Sequence, residues 1–189
     1  MDILLNVTRR RISVELLKNK FLLLDTNILI EATKAPQTLR PFFEFVAESE
    51  CGNPLIIDAV YFEFIRNARS RTEYDQTKEM LDGYDKILTT EEDVEKAIQI
   101  SLACVAKKPG SEKQISYTDC LLGAQLAKYG DKIILATINY NDFPLYCYDR
   151  IHVQVYDLES KIITISFIQF NHNKFDKCME VFESKKRKK

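Results

Sequence analysis

Histidine is scarce in this 189-residue chain: only His152 and His172 occur, too far apart to form a local metal-ligand pair. That excludes zinc chemistry built on closely spaced imidazoles. The five cysteines, Cys51, Cys104, Cys120, Cys147 and Cys178, contain no C-x-x-C pair. Neither a zinc knuckle nor a dithiol redox motif is therefore available, and Cys104 and Cys120, set in apolar runs, read as reduced core thiols. An excess of charge of one sign is also missing. The formal net charge is -1, so overall charge names no nucleic-acid or membrane partner. No apolar run approaches the roughly 18 residues that a membrane span needs. The start, Met1-Asp2-Ile3-Leu4-Leu5, lacks the order and cleavage site of a signal peptide. A reducing, cytoplasmic setting with no membrane partner is the resulting expectation.

What is present is an ordinary globular mix, 46% apolar and 29% charged, in a length that suits one decorated domain. Local charge is uneven. Arg9, Arg10 and Arg11 cluster near the start, and Lys185, Lys186, Arg187, Lys188 and Lys189 close the chain. Such runs either hold phosphates or form a solvated tail.

Short apolar runs alternate with helical patterns. Phe21-Leu22-Leu23-Leu24 reads as a buried strand ending at Asp25-Thr26, with Thr26 capping a helix over residues 27–34. The pattern predicts a helix over 39–48 with Phe42, Phe45 and Val46 on one face and Pro41 in its first turn. Pro54-Leu55-Ile56-Ile57 reads as a second strand, Asp58 as an N-cap and 59–68 as the helix after it. A polar helix over 71–84 closes at Gly83, and Ile87-Leu88 is a short third strand. The clearest helix covers 91–107. Thr90 caps it, Glu91, Glu92 and Asp93 crowd its positive end, and Val94, Ala97, Ile98, Ser101, Leu102 and Val105 make its stripe. Another runs from Ser116 to Tyr129 and closes at Gly130; strands follow over 132–137 and 151–156. Beyond Glu159 come a β-branched run over 162–168 and a polar helical tail from Asn173. This alternation predicts an α/β fold, a central and mostly parallel sheet flanked by helices, with a C-terminal strand and helical tail added.

In such sheets ligands collect beyond the carboxyl ends of the strands. Asp25 stands there directly, either as a ligand for a metal or phosphate or as a helix cap. Glu63 lies inside the apolar Val60-Tyr61-Phe62-Glu63-Phe64-Ile65. A carboxylate there needs a cation or partner, and Arg66 offers a plain surface ion pair as the alternative. Asp119 completes Ser116-Tyr117-Thr118-Asp119, a capping box whose placement also suits a metal ligand. Asn139 and Asp142, in Thr137-Ile138-Asn139-Tyr140-Asn141-Asp142-Phe143, emerge at the same rim, unless they serve only the turn. Arg66, Arg69 and Arg71 follow Glu63 and form either a clamp for an RNA backbone or a solvated helix face. Tyr117 or Tyr140 offers a ring on which an unpaired base can stack.

These pieces resemble the PIN-domain nucleases, especially the VapC-type toxins of prokaryotic toxin–antitoxin pairs. The matching segments are Leu24-Asp25-Thr26-Asn27, Glu63, Tyr117-Thr118-Asp119 with Ala124, and Thr137-x-Asn139-x-x-Asp142-Phe143, in the family's order over residues 21–157. The resemblance implies a PIN-like three-layer fold and a Mg²⁺- or Mn²⁺-dependent endoribonuclease hydrolysing RNA phosphodiester bonds. Asp25, Glu63 and Asp119 match the family's acids, with Asn139 and Asp142 completing the metal set. Asn139 removes one negative charge where many members carry aspartate. The implied partners are an RNA substrate (tRNA, rRNA or mRNA), an antitoxin protein over the acidic site, and a second copy in a homodimer. The chain then divides into an N-terminal extension (1–20), a nuclease domain (21–158) and a C-terminal strand and helix with a basic tail (159–189).

Three other readings compete. A haloacid-dehalogenase-type phosphatase needs a second aspartate where this chain has Asn27. A receiver domain needs paired acids and a phosphate-facing lysine that are not evident. A catalytically silent PIN-like module, binding RNA or a protein partner, remains the alternative.

Overall fold

The computed structural model describes residues 15–107, 115–158 and 161–186. The basic clusters at 9–11 and 187–189, and the helix stop expected at Pro109-Gly110, lie outside the described residues. The elements are β1 (Phe21–Leu24), α1 (Thr26–Lys34), α2 (Pro36–Glu48), β2 (Leu55–Ile57), α3 (Asp58–Ile65) and α4 (Arg71–Asp82). They continue as β3 (Asp85–Ile87), α5 (Glu91–Lys107), α6 (Tyr117–Tyr129), β4 (Ile133–Thr137), β5 (Tyr148–Leu158), β6 (Lys161–Phe170) and α7 (His172–Lys186).

The six strands form one sheet in the order β3-β2-β1-β4-β6-β5. The first three pairings along that order, from β3 through β4, are parallel, and β6 runs antiparallel to both β4 and β5. Leu22, Leu23 and Leu24 are wholly buried, as is every residue of β4. Unbroken burial of consecutive strand residues means that both faces are covered, as parallel sheets require. The chain leaves β1 toward β2 on one side and returns from β3 to β4 on the other. The strand order therefore reverses between β1 and β4, and a crevice opens at their carboxyl ends. Asp25 follows β1 and Thr137 ends β4, so both stand at that crevice.

Helices cover the faces with their apolar stripes. In α2 the residues Leu39, Phe42, Phe45 and Val46 are buried, and Phe42 and Phe45 reach Phe167 of β6 with ring centroids 6.4 and 6.2 Å away. Burying such side chains contributes about 1.5–3 kcal/mol each. Helix α5 packs against α6 and α7, and α3 against α1, α4 and α6. Gly123 permits one of these approaches, because a Cβ there would collide with the Tyr148 hydroxyl. Gly130 ends α6 at φ 58°, the left-handed conformation that glycine adopts without penalty. Among the described residues no helix is long and apolar enough to cross a membrane.

Several local expectations are corrected. Helix α2 begins at Pro36, so Pro41 sits in its interior rather than its first turn. Asp25 holds the N-cap position of α1 without a side-chain cap bond, and Thr26 lies within the first turn. Asp58 belongs to α3 rather than capping it, and α3 ends at Ile65 rather than Ala68. Gly83 closes α4 with an ordinary helical φ of -75°. In α5 the buried face is Asp93, Ala97, Ile100, Ala103 and Cys104, while Ile98 and Val105 are 55% and 51% exposed. That stripe is rotated because α6 and α7 both press on the helix. The expected added C-terminal strand is β6, and it sits inside the sheet, between β4 and β5.

Candidate active site

The site begins with a hydrogen-bonded seam across the crevice. Thr137 Oγ1 donates to Asp25 Oδ2 at 2.6 Å, and Asn27 Nδ2 donates to the same oxygen at 2.6 Å. Asn27 Oδ1 accepts from the Ile138 amide at 2.9 Å, and the Asn139 amide donates to Thr137 Oγ1 at 3.0 Å. The Asp25 amide itself donates to Ala136 O at 3.1 Å. These bonds tie the ends of β1 and β4 together and fix one face of the Asp25 carboxylate.

Three more acids gather around it. Glu63, from α3, accepts from Thr26 Oγ1 at 2.8 Å, which places it beside Asp25. Asp119, in the first turn of α6, accepts from Ser116 Oγ at 2.7 Å, while its own amide donates to Ser116 Oγ at 3.0 Å. Asp142 accepts from the Asn139 side-chain amide. Burial is the main reason that Asp25 is pushed up to about 6, opposed by Thr137 and Asn27 and reinforced by the charge of Glu63. Asp119 is pushed up to about 7, again by burial first, with Ser116 opposing and with Asp25, Asp142 and Glu63 all adding repulsion. Asp119 therefore feels the other three acids, and Asp25 feels Glu63.

Among the described residues the hydrogen-bond partners of Asp25, Glu63 and Asp119 are hydroxyl and amide groups. Clustered carboxylates held by neutral donors match the hard oxygen set that Mg²⁺ and Mn²⁺ prefer. Among the described residues no group of three acids, histidines or cysteines stands close enough together to hold a cation; Thr26 and Ser116 hold Glu63 and Asp119 individually. The residues fit a divalent ion in the chemistry of their donors.

The expected clamp separates into parts. Arg66 lies with Glu63 in a cleft of about 640 Å³ between α3 and the start of α6. Arg69 lines a different groove, of about 860 Å³, with Ile30, Phe64 and Met80. Arg71 is bound to Asp75 at 3.0 Å and stands over Tyr74. Only Arg66 shares a cavity with an acid of the cluster. Asn27, Thr137 and Thr26 fall within the matching segments of the sequence, but none of them was expected to support the acids. Their signal was available: polar residues at or just beyond the carboxyl ends of two adjacent strands.

A family model described as PIN domain matches residues 22–142, more than half of the chain. In fold the chain is similar to a solved chain from "Toxin-antitoxin complex from Klebsiella pneumoniae", at 19% identity and a TM-score of 0.50. That likeness covers 66% of this chain and 91% of the other. No curated protein matches the sequence.

Proposed function

Because the chain belongs to the PIN-domain family, we propose that it is a Mg²⁺- or Mn²⁺-dependent endoribonuclease, the VapC-type toxin of a toxin–antitoxin pair. PIN domains are generally nucleases that use divalent metals, and the acidic cluster at the sheet's switch point supports that chemistry here. The observation that carries the reading is the convergence of Asp25, Glu63 and Asp142 on Asp119, with Glu63 hydrogen-bonded to the residue after Asp25.

In this reading Asp25, Glu63 and Asp119 hold the ion, with Asn139 and Asp142 beside them. A bound divalent cation supplies Lewis-acid chemistry for phosphodiester hydrolysis. Thr137 and Asn27 keep the Asp25 carboxylate at a fixed angle, so little reorganisation is needed when substrate arrives. Burial raises Asp25 to about 6 and Asp119 to about 7, so a divalent ion held by them would compete with protons. Arg66 provides positive charge for a substrate phosphate on the Glu63 side.

A small antitoxin protein laid over the acidic rim would silence the enzyme, and the toxin–antitoxin neighbour supports such a partner. We extend the reading to a homodimer acting on cytoplasmic tRNA, rRNA or mRNA, with 21–158 as the nuclease unit. The test is incubation of wild type and Asp25→Asn with labelled RNAs in Mg²⁺, Mn²⁺ or EDTA. Metal-dependent cleavage by wild type alone is expected. Equal cleavage by both proteins overturns the assignment. No cleavage of any RNA favours the silent PIN-like module, which Asn139 in place of an acid also suits.

A further inference from the structure

The cleft beside Glu63 holds two large aromatic side chains that the core does not use. Phe62 on α3 is 63% exposed and Tyr117 on α6 is 59% exposed, and both line this one cavity. Exposing large apolar rings to water is unfavourable, and two together mark a recognition surface more often than a packing accident. They come from different helices, so no single amphipathic pattern explains them. Arg66 lines the same cleft, is exposed, and is in no ion pair among the described residues. Thr89, Thr118 and Asp58 also line it, and the Asp58 carboxylate accepts from the Thr89 amide at 3.0 Å. The volume lies within the range of small-ligand sites, roughly 300–1,000 Å³.

These features differ from the other exposed aromatic near the site. Tyr140 is 38% exposed and its ring is already covered by Arg150, 4.3 Å from the centroid. Phe62 and Tyr117 have no such cover among the described residues. A flat, neutral group with polar edges fits two bare rings, and a negative group attached to it fits the guanidinium. Glu63 belongs both to this cleft and to the acidic cluster, so whatever enters the cleft lies next to the reacting position.

We propose that the Phe62–Tyr117 cleft is a base-stacking subsite that takes one unpaired nucleobase adjoining the scissile phosphate, with Arg66 on the neighbouring phosphate. This rests on the ribonuclease reading and adds to it a place on the protein for one nucleotide beside the acidic cluster. In a duplex each base is stacked within the helix and cannot reach the rings. Stacking on aromatic side chains is tolerant of base identity, so the subsite selects for an unpaired nucleotide rather than for a sequence.

The test uses the full chain and a short oligoribonucleotide carrying one 2-aminopurine, in EDTA so that binding is read without turnover. Stacking quenches the fluorophore. Wild type is expected to quench it. Phe62→Ala and Tyr117→Ala are each expected to weaken binding about tenfold and abolish quenching, whereas Tyr117→Phe and Phe62→Tyr retain both. Thermal melts of each variant check that the exposed positions leave the fold intact. Equal quenching by all variants, or none by wild type, overturns the subsite. So does an equal loss for a duplex of the same sequence. Cleavage by wild type and Asp25→Asn in Mg²⁺, measured in parallel, decides the ribonuclease reading separately. A protein that quenches but never cleaves keeps the cleft and loses the enzyme.

Discussion

Asp93 and Asp119 occupy the same local position in two different helices, and their fates are opposite. Each sits three residues after a Thr or Ser whose hydroxyl meets the aspartate's amide and carboxylate: Thr90 for Asp93, Ser116 for Asp119. Both are capping boxes. Burial pushes Asp93 upward, but the Thr90 amide, Lys128 and Gln125 more than offset it, so the carboxyl stays below its usual range. Lys128 Nζ lies 3.0 Å from Asp93 Oδ1. Asp119 has no such ammonium among the described residues; it faces Asp25, Asp142 and Glu63 and is pushed up to about 7. The motif is therefore silent about function. What decides is the charge brought up by the rest of the fold: a lysine makes one box structural, and three acids make the other a candidate cation site.

Exchanging each acid for its amide should separate the two boxes most sharply. Asp119→Asn and Asp25→Asn are expected to reduce RNA cleavage at least about a hundredfold, beyond the cost of losing a supporting partner. Asp93→Asn should leave the cleavage rate near wild type while lowering stability by about 2 kcal/mol, because Lys128 loses its charge partner. Cleavage assays and denaturant titrations read the two effects.

Next in size is the response of stability to pH. Asp25 and Asp119 bind protons more tightly in the folded chain than in the unfolded one, where their value is near 3.8. Their contribution is fully present below about pH 4 and is lost as pH rises through about 6 to 7. Metal-free protein should therefore gain melting temperature on acidification from pH 8 toward 5, and Asp119→Asn should blunt that gain. Added Mg²⁺ should restore stability at pH 8 and much less at pH 5, where protons compete. Asp93 acts with the opposite sign and limits the gain only at low pH.

The smallest effect tests the support. Thr137 is wholly buried, and its hydroxyl serves both Asp25 and the Asn139 amide. Thr137→Val should cost about 1–3 kcal/mol and weaken Mg²⁺ binding about 10–100-fold, with Mg²⁺ titration as the readout. A loss of stability without a loss of metal affinity would reduce Thr137 to a packing residue.

Much of this was legible from residue order. Continuous apolar runs marked β1 and β4, the caps and acids bounded α5 at 91–107, and Gly130 closed α6 where expected. Asp25, Glu63 and Asp119 were also recognisable, since acids just past strands or inside apolar helices stand out. Less was legible wherever the answer lies in a distant partner. The rotated stripe of α5 depends on α6 and α7, which bury Ile100 and leave Ile98 in solvent. The seam from Thr137 to Asp25 spans 112 positions, and no local pattern announces it. The same holds for the arginines: spacing grouped Arg66, Arg69 and Arg71, but Asp75 claims Arg71 and the turn after α3 sends Arg69 elsewhere.

The placement of β6 has a consequence for how this molecule comes into being. Thr137 lies on a strand whose second neighbour is supplied by residues 161–170, with Ser166 opposite it in register. During synthesis β1 and β4 can meet early, yet one flank of β4 stays open until Phe170 has cleared the ribosome. The platform under the acidic cluster is thus complete only once residues 161–170 have docked beside β4.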